Sequence, residues 1–246
     1  MDTIKGIFFD LHGTLLLSKD INSAWDRWAR AFFKAIQNKG SDITFPKFKE
    51  LLQNLFNESE PDFQENGFTL FMKRVKVLSK QLSIDLPNEE IRPLVDSIIK
   101  VWHEDMYFDE EAFTVIKKLK EKYKVGLVTN WEHTPRIYEL LYELKADELF
   151  DCIVVSENVG FAKPDPRVFK PAFDHTQVKA KEAMYVGDMN IDIEGALNAG
   201  MVPVLIKRNE ANGNWGQFSQ ENICSFSDDQ YILIHRLSQL YDILKC

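Results

Sequence analysis

The chain has 246 residues, with 38 acidic against 30 basic side chains and a formal net charge of −8. Hydrophobic residues make up 45% and charged ones 28%, the balance of a folded globular protein rather than a disordered one. The acidic surplus argues against a general nucleic-acid or anionic-membrane binder, and no apolar run reaches the length of a membrane span, so neither nucleic acid nor membrane is expected as a partner.

The N-terminal MDTIKGIFFD runs straight into a strand-like segment, which disfavours a signal peptide. Cys152, Cys224 and Cys246 form no CxxC pair and have no histidines at ligand spacing. A disulfide framework or structural zinc site is therefore not expected, and a reducing, cytoplasmic setting fits best. Residues 4–9, IKGIFF, read as a short buried strand ending at Asp10, with LHGT (11–14) as a turn. From about 18 to 106 the period changes. Apolar side chains recur at three- and four-residue steps, as in Ile21, Trp25, Trp28, Phe32 and Ile36, and predict four amphipathic helices. Ten of the 18 Phe lie between 32 and 113 and three of the five Trp between 25 and 102, so much of the aromatic supply belongs to this block. Packing of a small helical core accounts for it. Lining of a substrate pocket by Trp25, Trp28, Trp102 and His103 is the functional alternative.

Beyond residue 107 helix and strand alternate. A helix over 109–122 leads to the strand KVGLVT ending at Thr129. Helix 134–149, the strand CIVVS and helices over 165–174 and 177–181 follow. The strand AMYVG then leads to Asp188, and helix 191–199, the strand VPVLI and a closing helix over 228–243 complete the chain. Short apolar strands between helices predict an α/β fold, a doubly wound parallel sheet with a Rossmann-like core, carrying the helical bundle as an inserted cap. The corresponding division is core over 1–17, helical cap over 18–106 and core over 107–246. The polar, glycine-containing stretch 208–217 reads as a surface loop.

In open α/β sheets, ligands collect at the carboxyl ends of the strands. The polar groups at those ends here are Asp10, Thr129-Asn130, Ser156-Glu157 and Gly187-Asp188. Asp10 and Asp188 together suit a hard divalent cation such as Mg²⁺. Lys163, in the proline-bounded VGFAKPDPRVF, brings a positive charge to the same rim. The set forms an anion pocket able to stabilise charge on a transferring phosphoryl group. Singly these signals are weak, because a strand-terminal Asp is often a helix cap and a lone Lys is most often solvated.

As an ordered set they are specific. FFDLHGTLL (8–16), LVTN (127–130), KPDPRVF (163–169) and YVGDMNIDIEGALNAG (185–200) resemble the four motifs of the haloacid dehalogenase-like hydrolase superfamily, and the 18–106 block resembles its helical cap. The resemblance implies an Mg²⁺-dependent phosphohydrolase acting on a small phosphorylated metabolite. Asp10 would attack phosphorus to form an aspartyl-phosphate that water then hydrolyses. It assigns Thr129 and Asn130 to the phosphoryl oxygens, and Lys163 to the nucleophile and phosphate together. Asp10, Asp188 and the main-chain carbonyl of His12 would hold the metal, with Asp192 supporting it from behind. Oligomeric state is not readable from the sequence.

Position 12 departs from the pattern. Phosphatases of this type carry a second aspartate there, acting as acid for the leaving alcohol and base for water. An imidazole, with an ordinary pKa of about 6.5, can in principle do both jobs. The alternatives are an enzyme restricted to good leaving groups and a site that binds phosphate without turnover. A different chemistry, 2-haloacid dehalogenation, uses the same nucleophile without metal or acid. Against it stand the lack of the tyrosine that branch usually carries at position 12 and the metal-type GDMNID segment. Phosphonate cleavage would want a cap lysine as Schiff base, and nothing in their context singles out Lys19, Lys34 or Lys39.

Overall fold

The short apolar runs form strands where their side chains are buried on both faces, as the computed structural model shows over residues 3–208, 226–227 and 229–245. In chain order, β1 (Gly6–Phe9) is followed by β2 (Leu16–Ser18), α1 (Ile21–Gln37), α2 (Phe45–Leu55), α3 (Leu70–Gln81), α4 (Asn88–His103) and β3 (Met106–Phe108). Then come α5 (Ala112–Lys120), β4 (Lys124–Thr129), α6 (Thr134–Glu143), β5 (Cys152–Val155), α7 (Ser156–Val159) and α8 (Lys170–Thr176). The last elements are β6 (Ala183–Gly187), α9 (Asn190–Ala199), β7 (Val202–Ile206), β8 (Ile232–Ile234) and α10 (Leu240–Leu244). Among the described residues six parallel strands make one sheet in the order β5-β4-β1-β6-β7-β8. The fold is thus a parallel α/β sheet carrying an inserted helical bundle.

The strand order decides where the polar strand ends meet. β1 lies between β4 and β6, so the carboxyl ends leading to Asp10, Thr129 and Asp188 are neighbours. The chain leaves β1 toward β4 and leaves β6 toward β7, on opposite sides, and such a switch point opens a crevice at the strand ends. The Asp10 N–H donates to the Val186 carbonyl (2.9 Å), carrying the β1–β6 pairing one residue past the strand.

Residues to Lys19, Met106–Trp131 and those from Ile137 onward make one compact unit, and Asp20–Asp105 with Glu132–Arg136 make the other. In the helical unit, Asp20 caps α1 by accepting from the N–H groups of Asn22 and Ser23. α1 then buries Ala24, Trp28, Phe32 and Ile36 at helical spacing. The Phe32 ring packs at 5.3 Å from Phe48, 5.7 Å from Trp28 and 6.3 Å from Phe71. The aromatic supply read from the sequence therefore fills this core. Residues 132–136, which the sequence-based division left in the core segment, belong with the helices. Arg74 grips both Glu132 carboxylate oxygens (3.0 and 2.8 Å), and His133 lies between Thr69 Oγ1 (2.7 Å) and Asp96 Oδ1 (3.0 Å).

Several element bounds differ from the sequence-based expectation. The closing helix over 228–243 is not formed: Ile232–Ile234 is instead a parallel strand beside β7, and only Leu240–Leu244 is α-helical. An apolar ILI next to an open sheet edge gains backbone hydrogen bonds there that periodicity cannot foresee. The expected helix over 134–149 ends at Glu143, because Lys145 adopts a left-handed φ of 56° before a short 3₁₀ turn. Left-handed Gln177 likewise stops α8, so a 3₁₀ turn at 180–182 replaces the helix over 177–181. β2 and β3, an antiparallel pair flanking the helical insertion, were not foreseen. Of the loop 208–217 only Arg208 is described, and Cys224 and Cys246 also lie outside the described residues. Among the described residues no helix is long and apolar enough to cross a membrane.

Phe32→Ala is expected to destabilise the helical unit by about 3 to 5 kcal/mol, the cost of deleting a fully buried ring. Tyr142→Ala, at a side chain 75% exposed, should change stability by less than about 0.5 kcal/mol. Urea unfolding of both variants against the parent checks the contrast.

Candidate active site

The centre of the site is the Lys163 ammonium, buried at the carboxyl ends of the strands. Its three protons have three oxygen partners: Asp10 Oδ1 at 2.7 Å, Asp192 Oδ1 at 2.7 Å and Tyr185 Oη at 2.9 Å. Tyr185 Oη in turn donates to the Val128 carbonyl (2.6 Å), tying β6 to β4 beneath the site. Burial alone would discharge the lysine, but Asp10 and Asp192 outweigh it and hold the ammonium well above its ordinary pKa. The loop that delivers Lys163 is latched by the Asn130 side chain. Its Nδ2 donates to the Lys163 carbonyl (3.0 Å) and its Oδ1 accepts from the Lys163 N–H (2.9 Å).

Asp188 stands beside this group. Thr14 Oγ1 donates to Asp188 Oδ1 (3.0 Å), and the Thr14 carbonyl accepts from Arg208 Nη2 (2.7 Å) while Arg208 Nη1 pairs with Asp109 (2.6 Å). Gly13, at φ +79°, allows the approach, since a Cβ there would lie 2.1 Å from Asp188 Oδ2. At Gly187 a Cβ would fall within 2.5 Å of the Asp192 carboxylate, so only glycine leaves it room. Asp192, on α9, accepts at Oδ2 from the N–H groups of Asp188 (3.1 Å) and Met189 (2.9 Å). With its other oxygen on Lys163, Asp192 braces both the lysine and the turn that carries Asp188.

Asp10, Asp188 and Asp192 form the one carboxylate cluster of metal-binding size among the described residues, with ligand atoms within 4.8 Å of one another. Three carboxylates against one ammonium leave excess negative charge in a desolvated place. Burial, then Asp192 and Asp10, push the Asp188 carboxyl well above its ordinary pKa, and burial raises Asp192 as well. An all-oxygen donor set with uncompensated charge fits Mg²⁺.

His12 lies on the turn after β1, half-buried, its ring stacked on Trp131 with centroids 4.6 Å apart and planes at 17°. Burial, with a smaller contribution from Lys163, pushes its pKa down to about 3, so the imidazole is neutral at physiological pH. Thr129 ends β4 with its side chain buried. The strand topology thus gathers Asp10, His12, Thr129, Asn130, Lys163, Asp188 and Asp192 at one rim. Trp25, Trp28, Trp102 and His103 lie in the helical unit: the three indoles form a cluster with centroids 4.9 to 6.2 Å apart, and His103 is buried with Nδ1 3.2 Å from the Ile99 carbonyl. Of the four only Trp25 is not buried. Tyr185, Arg208 and Trp131 were missed by sequence reasoning. The hydroxyl of Tyr185 was the one available signal, as the sole polar side-chain group in the apolar strand AMYVG.

The sequence model of the haloacid dehalogenase-like hydrolase family matches residues 7–206. A glyceraldehyde 3-phosphate phosphatase of Methanothermobacter thermautotrophicus is 28% identical over 205 residues, covering 82% of this chain and 85% of that protein. One of the same name from Methanocaldococcus jannaschii is 27% identical and covers 98% of this chain and 97% of its own. Among solved structures, a phosphatase of Thermococcus onnurineus superposes with a TM-score of 0.67 at 20% identity over 98% of both chains. A 2-haloacid dehalogenase of Pseudomonas syringae gives 0.65 at 21% identity, also over 98% of both. At such identities the structural likeness speaks for the fold and not for the reaction.

Because burial and the neighbouring carboxylates push the Asp188 carboxyl well above its ordinary pKa, a cation there competes with protons, and Mg²⁺ binding is expected to release protons and to tighten as pH rises. Calorimetric titration in buffers of different ionisation enthalpy reads this directly, and a binding heat independent of buffer would contradict it. Thr14→Val removes the hydroxyl that orients Asp188 and should weaken Mg²⁺ roughly 10- to 100-fold, measured in the same titration.

Proposed function

Because the chain belongs to the haloacid dehalogenase-like hydrolase family, we propose that it is an Mg²⁺-dependent phosphatase of small phosphate esters, with Asp10 as nucleophile. The observation that carries this reading is the buried Lys163 ammonium joined to Asp10 and Asp192 with Asp188 alongside. Such a site has positive charge to meet a phosphate and spare carboxylate charge to hold a divalent cation. Mg²⁺, when bound, neutralises charge on the carboxylates and on the phosphoryl oxygens.

The protein's own groups then divide the remaining work. Lys163 holds one Asp10 oxygen, which leaves the other to attack phosphorus and displace the alcohol. The Thr129 hydroxyl and the main chain at Asn130 receive the phosphoryl oxygens, while the Asn130 side chain keeps Lys163 in place. His12, neutral in the free protein, is in the form that accepts a proton. It takes a proton from the water that hydrolyses the aspartyl-phosphate and passes it to solvent as the neutral imidazole is restored, while the departing alkoxide takes its proton from water. The residue roles rest on the motifs together with this geometry.

Dehalogenation of a 2-haloacid is the less favoured reading. A carbon ester formed from Asp10 has no need of a metal, and it gives the buried Asp188 carboxyl no cation to hold. The relatives named for glyceraldehyde 3-phosphate make a triose phosphate the first substrate to assay. Trp25, at the less buried edge of the indole cluster, is the pocket candidate with most surface left for a ligand. The dispersed cysteines support a cytoplasmic setting.

Asp10→Asn should abolish Mg²⁺-dependent phosphate release. For His12→Ala with p-nitrophenyl phosphate, whose leaving group needs no acid, a burst of p-nitrophenol equal to the enzyme concentration is expected. Steady turnover should follow at about 10² to 10⁴-fold below the parent. Rapid-quench kinetics distinguish the outcomes, and an unchanged steady rate would remove His12 from the chemistry.

A further inference from the structure

Thr14 reaches Asp188 from a turn, and a turn is a soft support for a group that must hold a metal ligand still. The bonds inside the turn join its other residues. The N–H groups of Leu15 and Leu16 donate to the Leu11 carbonyl (2.9 and 2.7 Å), and the Gly13 N–H donates to the Leu16 carbonyl (2.8 Å). None of these uses the Thr14 carbonyl. Thr14 is fully buried, so that carbonyl needs a donor from inside the protein. Arg208, just past β7, supplies it through Nη2 at 2.7 Å.

A buried guanidinium needs compensation in its turn. Asp109 Oδ2 lies 2.6 Å from Arg208 Nη1, and the two side chains are only 10% and 8% exposed. Asp109 is held as well: its Oδ1 accepts from the Glu111 N–H (2.8 Å), and its own N–H donates to the Leu15 carbonyl (2.8 Å). These contacts close on themselves. The consecutive carbonyls of Thr14 and Leu15 are gripped, one by the Arg208 side chain and the other by the Asp109 main chain, while Arg208 and Asp109 grip each other. One bond would leave the turn a pivot, and two on successive peptide groups remove it. All of these residues lie in the same compact unit. A buried ion pair is a poor device for stability alone, because desolvation offsets its attraction. What it adds here is a donor of fixed direction on the residue that orients Asp188.

We propose that Arg208 and Asp109 are positioning residues of the metal site, clamping the main chain at 14 and 15 so that the Thr14 hydroxyl stays on Asp188 Oδ1 (3.0 Å). This rests on the reading of the carboxylate cluster as an Mg²⁺ site. Charge and position predict opposite signs. Removing the Arg208 cation makes the site more negative, which by itself would tighten Mg²⁺. Releasing the clamp lets Asp188 turn, which weakens it.

The test is a calorimetric Mg²⁺ titration of the full chain at fixed pH and ionic strength. Arg208→Met is expected to weaken Mg²⁺ about tenfold, and Asp109→Asn by a smaller factor. Arg208→Lys, which keeps a donor for the Thr14 carbonyl, should recover most of the loss. In the Thr14→Val background Arg208→Met should weaken binding no further, because no hydroxyl remains to be positioned. Unchanged or tighter binding by Arg208→Met overturns the proposal, as does an equal loss in both backgrounds, and either result leaves the metal reading standing. A parent that binds no Mg²⁺ overturns both. Should the lone Asp109 charge unfold Arg208→Met, the double variant Asp109→Asn/Arg208→Met removes both charges together and carries the same cycle with the same expected loss. Binding stoichiometry separates the two effects, since an unfolded fraction lowers the number of sites and a loosened site raises Kd.

Discussion

A lysine ammonium with almost no solvent contact has to find its hydrogen-bond partners inside the protein, and this requirement organises the site. Lys163 meets it with Asp10 from the end of β1, Asp192 from α9 and Tyr185 from β6. Each partner then acquires a second duty. Tyr185 links to β4 through Val128, Asp192 caps the turn that carries Asp188, and Asp10 keeps one oxygen away from the lysine. The glycines at 13 and 187 follow from the same crowding, since a methyl group at either would displace a carboxylate. One buried charge thus accounts for residues far apart in the chain.

The charge is also incompletely balanced. Asp10, Asp188 and Asp192 together exceed what Lys163 neutralises, which is a cost to the cation-free fold and a preference for a bound divalent ion. His12 belongs to a different balance. Its neutrality comes first from burial, and its ring stacks on the Trp131 indole, whose backbone N–H is held by Ser156.

The helical unit solves an unrelated physical problem, that of making a core from four helices. Large rings do so efficiently, because each covers a wide area for few rotatable bonds. Trp28 and Phe32 are buried among other rings, and that explains the aromatic richness of the block. Arg74 is also buried there, and it is satisfied by Glu132 and by the carbonyls of Leu55 and Glu58.

The chain itself made much of this legible. Apolar runs bounded by Asp10, Thr129 and Asp188 announced a parallel sheet with a polar rim, and the order of four short motifs pointed to the nucleophile, lysine and metal carboxylates. Helical spacing between 21 and 102 revealed the insertion, because an amphipathic face repeats every three to four residues regardless of its partner. What stayed hidden depends on contacts distant in sequence. Tyr185 is a core aromatic until Lys163 folds over it, and Trp131 is an unremarked loop residue until the β1–β4 register lays it on His12. Arg208 has no meaning before Thr14 is beside it. Residues 232–234 became a strand only because β7 offered an open edge, and 132–136 joined the helices through the contacts of Glu132 with Phe71 and Arg74 and of His133 with Thr69 and Asp96. Local periodicity and motif order reside in neighbouring residues, and the sequence determines them by itself. Charge compensation, ring stacking and edge pairing join residues tens to nearly two hundred positions apart, so only the tertiary structure decides them.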